Sequence, residues 1–319
     1  METPILSVII PLLNESGNLA LLQERLALAL AETGRSYEII YIDDGSTDDS
    51  LEILRALRAA DEEHIKIISF GRNFGKTTAM VAGFQAAHGE LLITLDADLQ
   101  DDPAEIPQML APIEQGYDLV VGWRKERMDR AKKKLSSRIY NTAVARLARI
   151  ELHDMNCGFK VYRRAVIENV RLYSGLHRYV PVLAAWQGFL VTEQVVQHHP
   201  RHAGDSKYGT GRAAHGFMDL VMVLFITRYL RSPLRLFGWL GFFVLSGGGL
   251  INLYLALLWF LRLLGLADVP PIGTRPLFSV GILAMILGVQ LISLGLLGEM
   301  IRYFTYRPQE EYVIKQAWL

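Results

Sequence analysis

The sequence predicts an α/β protein: a mostly parallel, Rossmann-like sheet with helices on both faces, followed by interfacial helices and a two-helix transmembrane hairpin. Three observations predict it. From Leu6 to Val121, short apolar runs alternate with segments of helical apolar spacing, the pattern of strand–helix–strand units. The first of those runs is apolar almost throughout, as in a strand covered on both faces. The C-terminal third contains two uncharged stretches, Leu236 to Leu261 (26 residues) and Leu277 to Gly298 (22 residues). Each exceeds the ~20 apolar residues that a membrane-spanning helix needs.

The first strand is Leu6 to Leu12, broken by Asn14-Glu15-Ser16-Gly17. Leu19 to Ala31 has helical spacing. Tyr37 to Ile42 is the second strand and ends in Asp43-Asp44-Gly45-Ser46-Thr47-Asp48. Leu51 to Leu57 is a helix, Ile65 to Phe70 a third strand, and Thr77 to Ala87 the helix after a glycine-bounded loop. The fourth strand begins at Leu91 and runs into Asp96-Ala97-Asp98-Leu99-Gln100. Pro103 to Ile113 is a short helix and Asp118 to Val121 a fifth strand. Further on, Phe217, Leu220, Val221, Leu224 and Phe225 recur at helical spacing, with Arg228 and Arg231 beyond them, the signature of an amphipathic helix lying in a membrane interface. The expected organisation is an α/β domain over residues 1–209, interfacial helices over 210–233, two spans over 234–303 (about 236–261 and 277–299) and a tail over 304–319.

Net charge is zero, so no overall attraction to polyanions exists and no nucleic-acid partner is expected. Charge is uneven, however: residues 124–149 carry ten Lys or Arg against two acids. Beside membrane spans, such a stretch suits an anionic lipid headgroup, and a solvated helix face is the alternative. Arg124, Lys133, Ser137 and Arg138 are the candidate phosphate contacts, because cations and hydroxyls bind phosphate oxygens well. Arg228, Arg231 and Arg235 precede the first span and Arg302, Arg307 and Lys315 follow the second, against Arg262 and Arg275 between them. That bias places both ends in the cytoplasm. The single cysteine, Cys157, forms no disulfide within the chain and reads as a small buried residue. Gly238, Gly241 and Gly247 to Gly249 permit close helix packing, which allows a homo-oligomer.

The chemistry gathers at strand ends. In an open α/β sheet, ligands bind beyond the carboxyl ends of the strands. Asp96, Asp98 and Gln100 offer hard oxygen donors there, suited to Mg²⁺ or Mn²⁺ held by one or two carboxylates plus substrate phosphates. A solvated acidic turn is the alternative, since Asp101 and Asp102 follow. Glu15, Asp43 and Asp44 close earlier strands, where carboxylates accept hydrogen bonds from ribose or base. Gly71-Arg72-Asn73-Phe74-Gly75-Lys76-Thr77 sits between a strand and a helix like a phosphate loop. It has three residues between its glycines, one fewer than that motif requires. Arg72, Asn73 and Lys76 remain candidates for a nucleotide pocket. Asp154 suits either a general base or a helix cap. His198, His199, His202 and His215 match no closed zinc set. Arg201 and Lys207 flank a glycine in a segment suited to closing over a diphosphate.

Val8-Ile9-Ile10-Pro11 with Asn14-Glu15, Asp43-Asp44-Gly45-Ser46 and Asp96-Ala97-Asp98-Leu99-Gln100 together resemble the family-2 inverting glycosyltransferases of the GT-A fold. Arg72 to Lys76, Cys157-Gly158-Phe159-Lys160, the Ser206-Lys207-Tyr208 segment and two C-terminal spans resemble the polyprenyl-phosphate glycosyltransferases within it. The resemblance implies that Pro11, Leu13, Glu15, Asp43 and Asp44 line the nucleoside pocket and that Asp96 faces ribose and metal beside Ala97. It implies further that Asp98 and Gln100 hold Mg²⁺ or Mn²⁺, that Arg201 and Lys207 grip the donor diphosphate, and that Arg124, Lys133 and Ser137 receive the lipid phosphate. Lys133 stands where other members carry arginine. The expected reaction moves a sugar from a nucleotide-diphosphate sugar, a UDP-sugar in bacterial members, to a polyprenyl phosphate at the bilayer. Two rivals remain: a processive polysaccharide synthase, whose Gln-x-x-Arg-Trp motif this chain lacks, and a non-catalytic membrane scaffold.

Overall fold

The computed structural model describes residues 4–125, 152–170, 172, 176–200, 225, 229, 232–266 and 276–305. These form two compact units, one within residues 4–200 and one within 225–305.

The first unit is a seven-stranded sheet. Its strands are β1 (Leu6–Leu12), β2 (Tyr37–Asp43), β3 (Ile65–Ser69), β4 (Leu91–Thr94), β5 (Leu119–Trp123), β6 (Lys160–Arg163) and β7 (Val191–Val195), in the order β3-β2-β1-β4-β6-β5-β7. Helices α1 (Ser16–Glu32), α2 (Ser50–Ala60), α3 (Lys76–Ala86) and α4 (Ile106–Glu114) connect the first five strands. Two shorter helices, α5 (Arg164–Asn169) and α6 (Val180–Trp186), follow. The continuous apolar runs are explained by burial on both faces: Val8, Ile9, Ile10, Ile39, Ile40 and Ile42 are all fully buried. In α1, Leu19, Leu22, Leu26 and Leu30 form the buried stripe that a 3.6-residue period requires.

The expected parallel sheet is there, with one addition. β6 lies antiparallel between β4 and β5, pairing Thr94 with Lys160 and Val121 with Lys160. Neither β6 nor β7 stood out in the sequence. β6 has four residues with a charge at each end, and β7 (Val-Thr-Glu-Gln-Val) is a half-exposed edge strand in which polar side chains separate two valines. The antiparallel insertion matters for function. It brings the start of β6 to the same edge as the carboxyl ends of β4 and β5.

The second unit is a helical hairpin, α7 (Pro233–Leu263) and α8 (Pro276–Thr305). Both helices are long and apolar enough to cross a membrane, and only 11% and 17% of their most apolar windows are buried. A soluble core hairpin would be buried; here Trp239, Phe243, Leu250 and Leu283 are each at least 60% exposed. The helices touch through glycine. A Cβ at Gly241 would stand 2.6 Å from the Gly288 carbonyl oxygen, and one at Gly248 would stand 2.6 Å from that of Gly281. Only residues without a side chain allow backbones so close. Gly247 and Gly249 meet nothing within 4 Å. The interfacial helices expected over 210–233 lie almost wholly outside the described residues.

Candidate functional site

Four segments converge at one edge of the sheet. β4 ends at Thr94 and delivers Asp96; β5 ends at Trp123 and delivers Arg124; β6 starts at Lys160; α3 starts at Lys76. Lys76 Nζ donates to Asp96 Oδ1. Burial alone would push the Asp96 carboxyl up, but Lys76, with Lys160 and Arg124 behind it, holds it below the usual carboxylate range. Asp96 is therefore ionised at neutral pH. Its side chain remains 36% exposed despite the protein around it. Gly158 backs it: a Cβ there would lie 2.7 Å from the Asp96 carboxyl carbon, so only glycine lets the carboxylate sit in this place.

The turn after Asp96 is strained. Leu99 has φ 59°, a left-handed conformation costly for a residue with a branched side chain. It lets the chain fold back so that the Gln100 N–H donates to Asp98 Oδ1 at 3.2 Å, with Asp98 and Ala97 buried. Two consecutive histidines lie against this turn. His199 N donates to the Gln100 carbonyl at 2.8 Å, His198 Nδ1 lies 3.6 Å from Asp101 Oδ1, and His199 Nε2 lies 3.6 Å from Asp102 Oδ2. The segment leading to Arg201 is thereby held beside Gln100.

Arg124 and Asp154 form a bidentate pair. Nε donates to Oδ2 at 2.7 Å and an Nη donates to Oδ1 at 3.1 Å, with the side chains 12% and 4% exposed. Burial works against the guanidinium charge, yet the surrounding acids raise the Arg124 pKa above its ordinary value. Asn156 N also donates to Asp154 Oδ1, at 3.3 Å. An aspartate so engaged orients its arginine.

The carboxylates at the ends of β1 and β2 mostly organise loops. Asp43 accepts from Ser46 N at 2.9 Å and from Ser69 Oγ at 3.0 Å. Asp44 accepts from Phe74 N at 2.7 Å and Gly75 N at 2.8 Å, one bond to each oxygen. Gly45 makes room for that loop, since a Cβ there would stand 2.5 Å from the Arg72 carbonyl carbon. Asp44 thus fixes the turn that launches Lys76 toward Asp96. Glu15 accepts from Asn18 Nδ2 at 2.6 Å, and Pro11 and Leu13 are half-buried beside it. Arg72 and Asn73 are exposed, with the Arg72 guanidinium 4.2 Å from the Phe74 ring centre. Lys133, Ser137, Arg138, Arg201 and Lys207 lie outside the described residues.

Three participants escaped the sequence reading of site residues. Lys160 is buried, donates to the Cys157 carbonyl, and is pushed down to about 8 chiefly by burial, with Lys76 adding to the effect. Gly158 is the second. His177 is the third: its Nδ1 lies 2.7 Å from Thr77 Oγ1, and burial, with Lys76, pushes it down to about 3, so it is neutral at physiological pH. Lys160 and Gly158 belong to a motif already noted in the sequence. His177 lies 100 residues from Thr77, and no local pattern joins them.

Asp96, Asp98 and Gln100 carry hard oxygen donors of the kind a divalent cation takes. Among the described residues no three His, Cys, Asp or Glu side chains converge as a metal cage. Mg²⁺ and Mn²⁺ need only one or two carboxylates when substrate phosphates complete the shell. Asp96 already holds one cation, the Lys76 ammonium, and Gly158 keeps a side chain out of its way.

An ionised carboxylate beyond β4 with cations around it suits a phosphate-bearing ligand at the edge of an α/β sheet, and the comparisons name the class. The chain belongs to glycosyl transferase family 2, whose profile matches residues 7–171. It is 38% identical over 322 residues to a dodecaprenyl-phosphate galacturonate synthase of Rhizobium johnstonii, covering 98% of this chain and 93% of that one. It is 37% identical over 313 residues to an undecaprenyl-phosphate 4-deoxy-4-formamido-L-arabinose transferase of Shewanella sediminis, covering 97% and 91%. The fold resembles glucosyl-3-phosphoglycerate synthase of Mycobacterium tuberculosis, crystallised with Mn²⁺, uridine diphosphate and glucosyl-3-phosphoglycerate. That likeness has a TM-score of 0.53 at 17% identity, over 70% of this chain and 80% of that one.

Proposed function

We propose that the chain transfers a sugar from a UDP-sugar, UDP-glucose or a relative of it, to a polyprenyl phosphate at the cytoplasmic face of a membrane, inverting the anomeric centre. The observation that carries this reading is the ionised Asp96 in its ring of cations, in a chain 38% identical along nearly its whole length to a polyprenyl-phosphate sugar transferase. The excess of Arg and Lys outside the two spans supports the cytoplasmic placement.

In this reading Pro11, Leu13, Glu15, Asp43, Asp44, Arg72, Asn73 and Ala97 enclose the nucleoside. Asp96, Asp98 and Gln100 hold Mg²⁺ or Mn²⁺, which when bound neutralises charge growing on the departing diphosphate. Arg201 and Lys207 share that task from the other side. Arg124, with Lys133, Ser137 and Arg138, receives the lipid phosphate. That acceptor has a second pKa of about 6, so it reaches the site mostly as a dianion and requires no strong base. Asp154 then serves by aiming Arg124: with Nε and one Nη committed to the carboxylate, the remaining N–H groups are left for the acceptor. Attack from the face opposite the leaving diphosphate inverts the sugar carbon.

The test incubates membranes containing the full chain with labelled UDP-sugars, polyprenyl phosphate and Mg²⁺ or Mn²⁺, then extracts with organic solvent. Label is expected in the extract as a lipid-linked monosaccharide, and Asp98→Ala is expected to lower it by about a thousandfold. Label in an insoluble polymer would point to a processive synthase. Unchanged labelling by Asp98→Ala would remove the metal placement.

A further inference from the structure

Among the described cations around Asp96, Lys76 is the most exposed. Arg124 is locked to Asp154 by two hydrogen bonds. Lys160 is buried and donates to the Cys157 carbonyl. Lys76 instead reaches Asp96 on a four-carbon stem from the first residue of α3, with 26% of its side chain exposed, onto a carboxylate that is itself 36% exposed. Its anchor is also placed by the nucleoside end of the site. Asp44 holds the N–H groups of Phe74 and Gly75, and Gly75, at φ 94°, turns the chain into the helix.

We propose that Lys76 is a tethered stand-in for the divalent cation: its ammonium and the metal compete for Asp96 Oδ1, and the ammonium that gives up that oxygen then serves the donor diphosphate. This rests on the reading of Asp96 as a metal ligand. Asp96 is part-buried, so a cation held against its carboxylate offsets part of the cost of removing that charge from water. A lysine meets that need while remaining displaceable, because its ammonium is a point charge on a flexible stem. The exchange conserves the contacts: one oxygen passes from ammonium to metal, and one ammonium passes from carboxylate to phosphate. Metal and diphosphate then assist each other through Lys76, and by linkage the assistance is mutual.

The experiment measures Mn²⁺ binding to the full-length protein in detergent by the loss of the free-ion paramagnetic resonance signal, without donor. Lys76→Met is expected to bind Mn²⁺ about tenfold more tightly than wild type, the size of one charge-assisted hydrogen bond that no longer has to be broken. Lys76→Arg, which keeps the charge and can grip both oxygens, is expected to bind it no more tightly than wild type. Inorganic pyrophosphate, a mimic of the diphosphate that carries no base, is expected to bind Lys76→Met more weakly. Equal Mn²⁺ affinity in wild type and Lys76→Met, while Asp96→Asn abolishes binding, would overturn the exchange and leave the metal site standing. Binding that survives Asp96→Asn unchanged would overturn the metal placement and the exchange with it.

Discussion

The two ends of the sheet use the same ingredients to opposite effect. At the amino end, Glu38 is buried and accepts from Ser7 Oγ at 2.5 Å, from His88 N at 2.6 Å and from Lys66 Nζ. Ser7 Oγ in turn accepts from Gly89 N at 2.7 Å. Burial would raise the Glu38 pKa, and these partners more than reverse it. At the carboxyl end, Asp96 is likewise a carboxylate pulled down by a lysine, but its surroundings stay open. Its neighbour Asp98 leads into a strained leucine, and cations outnumber the bonds they make to it. A buried carboxylate whose oxygens are filled by its own fold holds strands together. One whose partner sits on a flexible stem at a solvent-facing edge is available for exchange.

Perturbing both ends sharpens that contrast. The largest effect is expected from Asp154→Asn, which loosens Arg124. The KM for polyprenyl phosphate should rise about tenfold or more, and Arg124→Met on top should add little, because the two act as one unit. Steady-state kinetics in lipid phosphate, with a pH profile, checks this. A collapse in kcat with unchanged KM and loss of the acid limb would make Asp154 a general base instead. At the other end, Glu38→Gln should cost about 1–2 kcal/mol of stability, since Lys66 is part-exposed and the lost attraction is screened. Thermal or urea unfolding should show that loss while transferase activity per folded molecule stays the same; reduced activity would erase the distinction between the ends. The smallest effect concerns His177. Its folded pKa, about 3, lies below the model-peptide 6.5, so the unfolded chain binds a proton that the folded chain refuses between those values. Wild-type stability should therefore fall as pH drops from about 6.5 toward 3. In His177→Asn the dependence should be flatter over that window, as read from melting temperatures at stepped pH.

Much of this was legible in the sequence because it is written locally. Mostly apolar runs mark β1, β2 and β4, since covered strands need no polar face. The Asp96–Gln100 donors announce themselves because a strand end dictates where they lie. What stayed hidden depends on partners far along the chain. Nothing near Asp154 reveals that Arg124, 30 residues earlier, will take both its oxygens. Nothing near Lys160 reveals that a four-residue antiparallel strand will set it beside β4. Asp44 reads as a nucleoside ligand from its position, and its two bonds to the loop at Phe74 and Gly75 emerge only when β2 and α3 are brought together. Long-range pairing of charged residues leaves no periodic trace.

The glycines of the hairpin set a rule for its length. The buried ones stand at 241 and 248 on α7 and at 281, 288 and 295 on α8, seven apart within each helix. A repeat of seven on a helix of about 3.6 residues per turn keeps one seam in line only if the rods coil gently around each other, left-handedly. Adding or deleting one residue inside either rod would swing the seam by about 100° and drive phenylalanine or leucine into space that holds nothing bigger than hydrogen. Seven residues could be inserted with the seam intact; one could not.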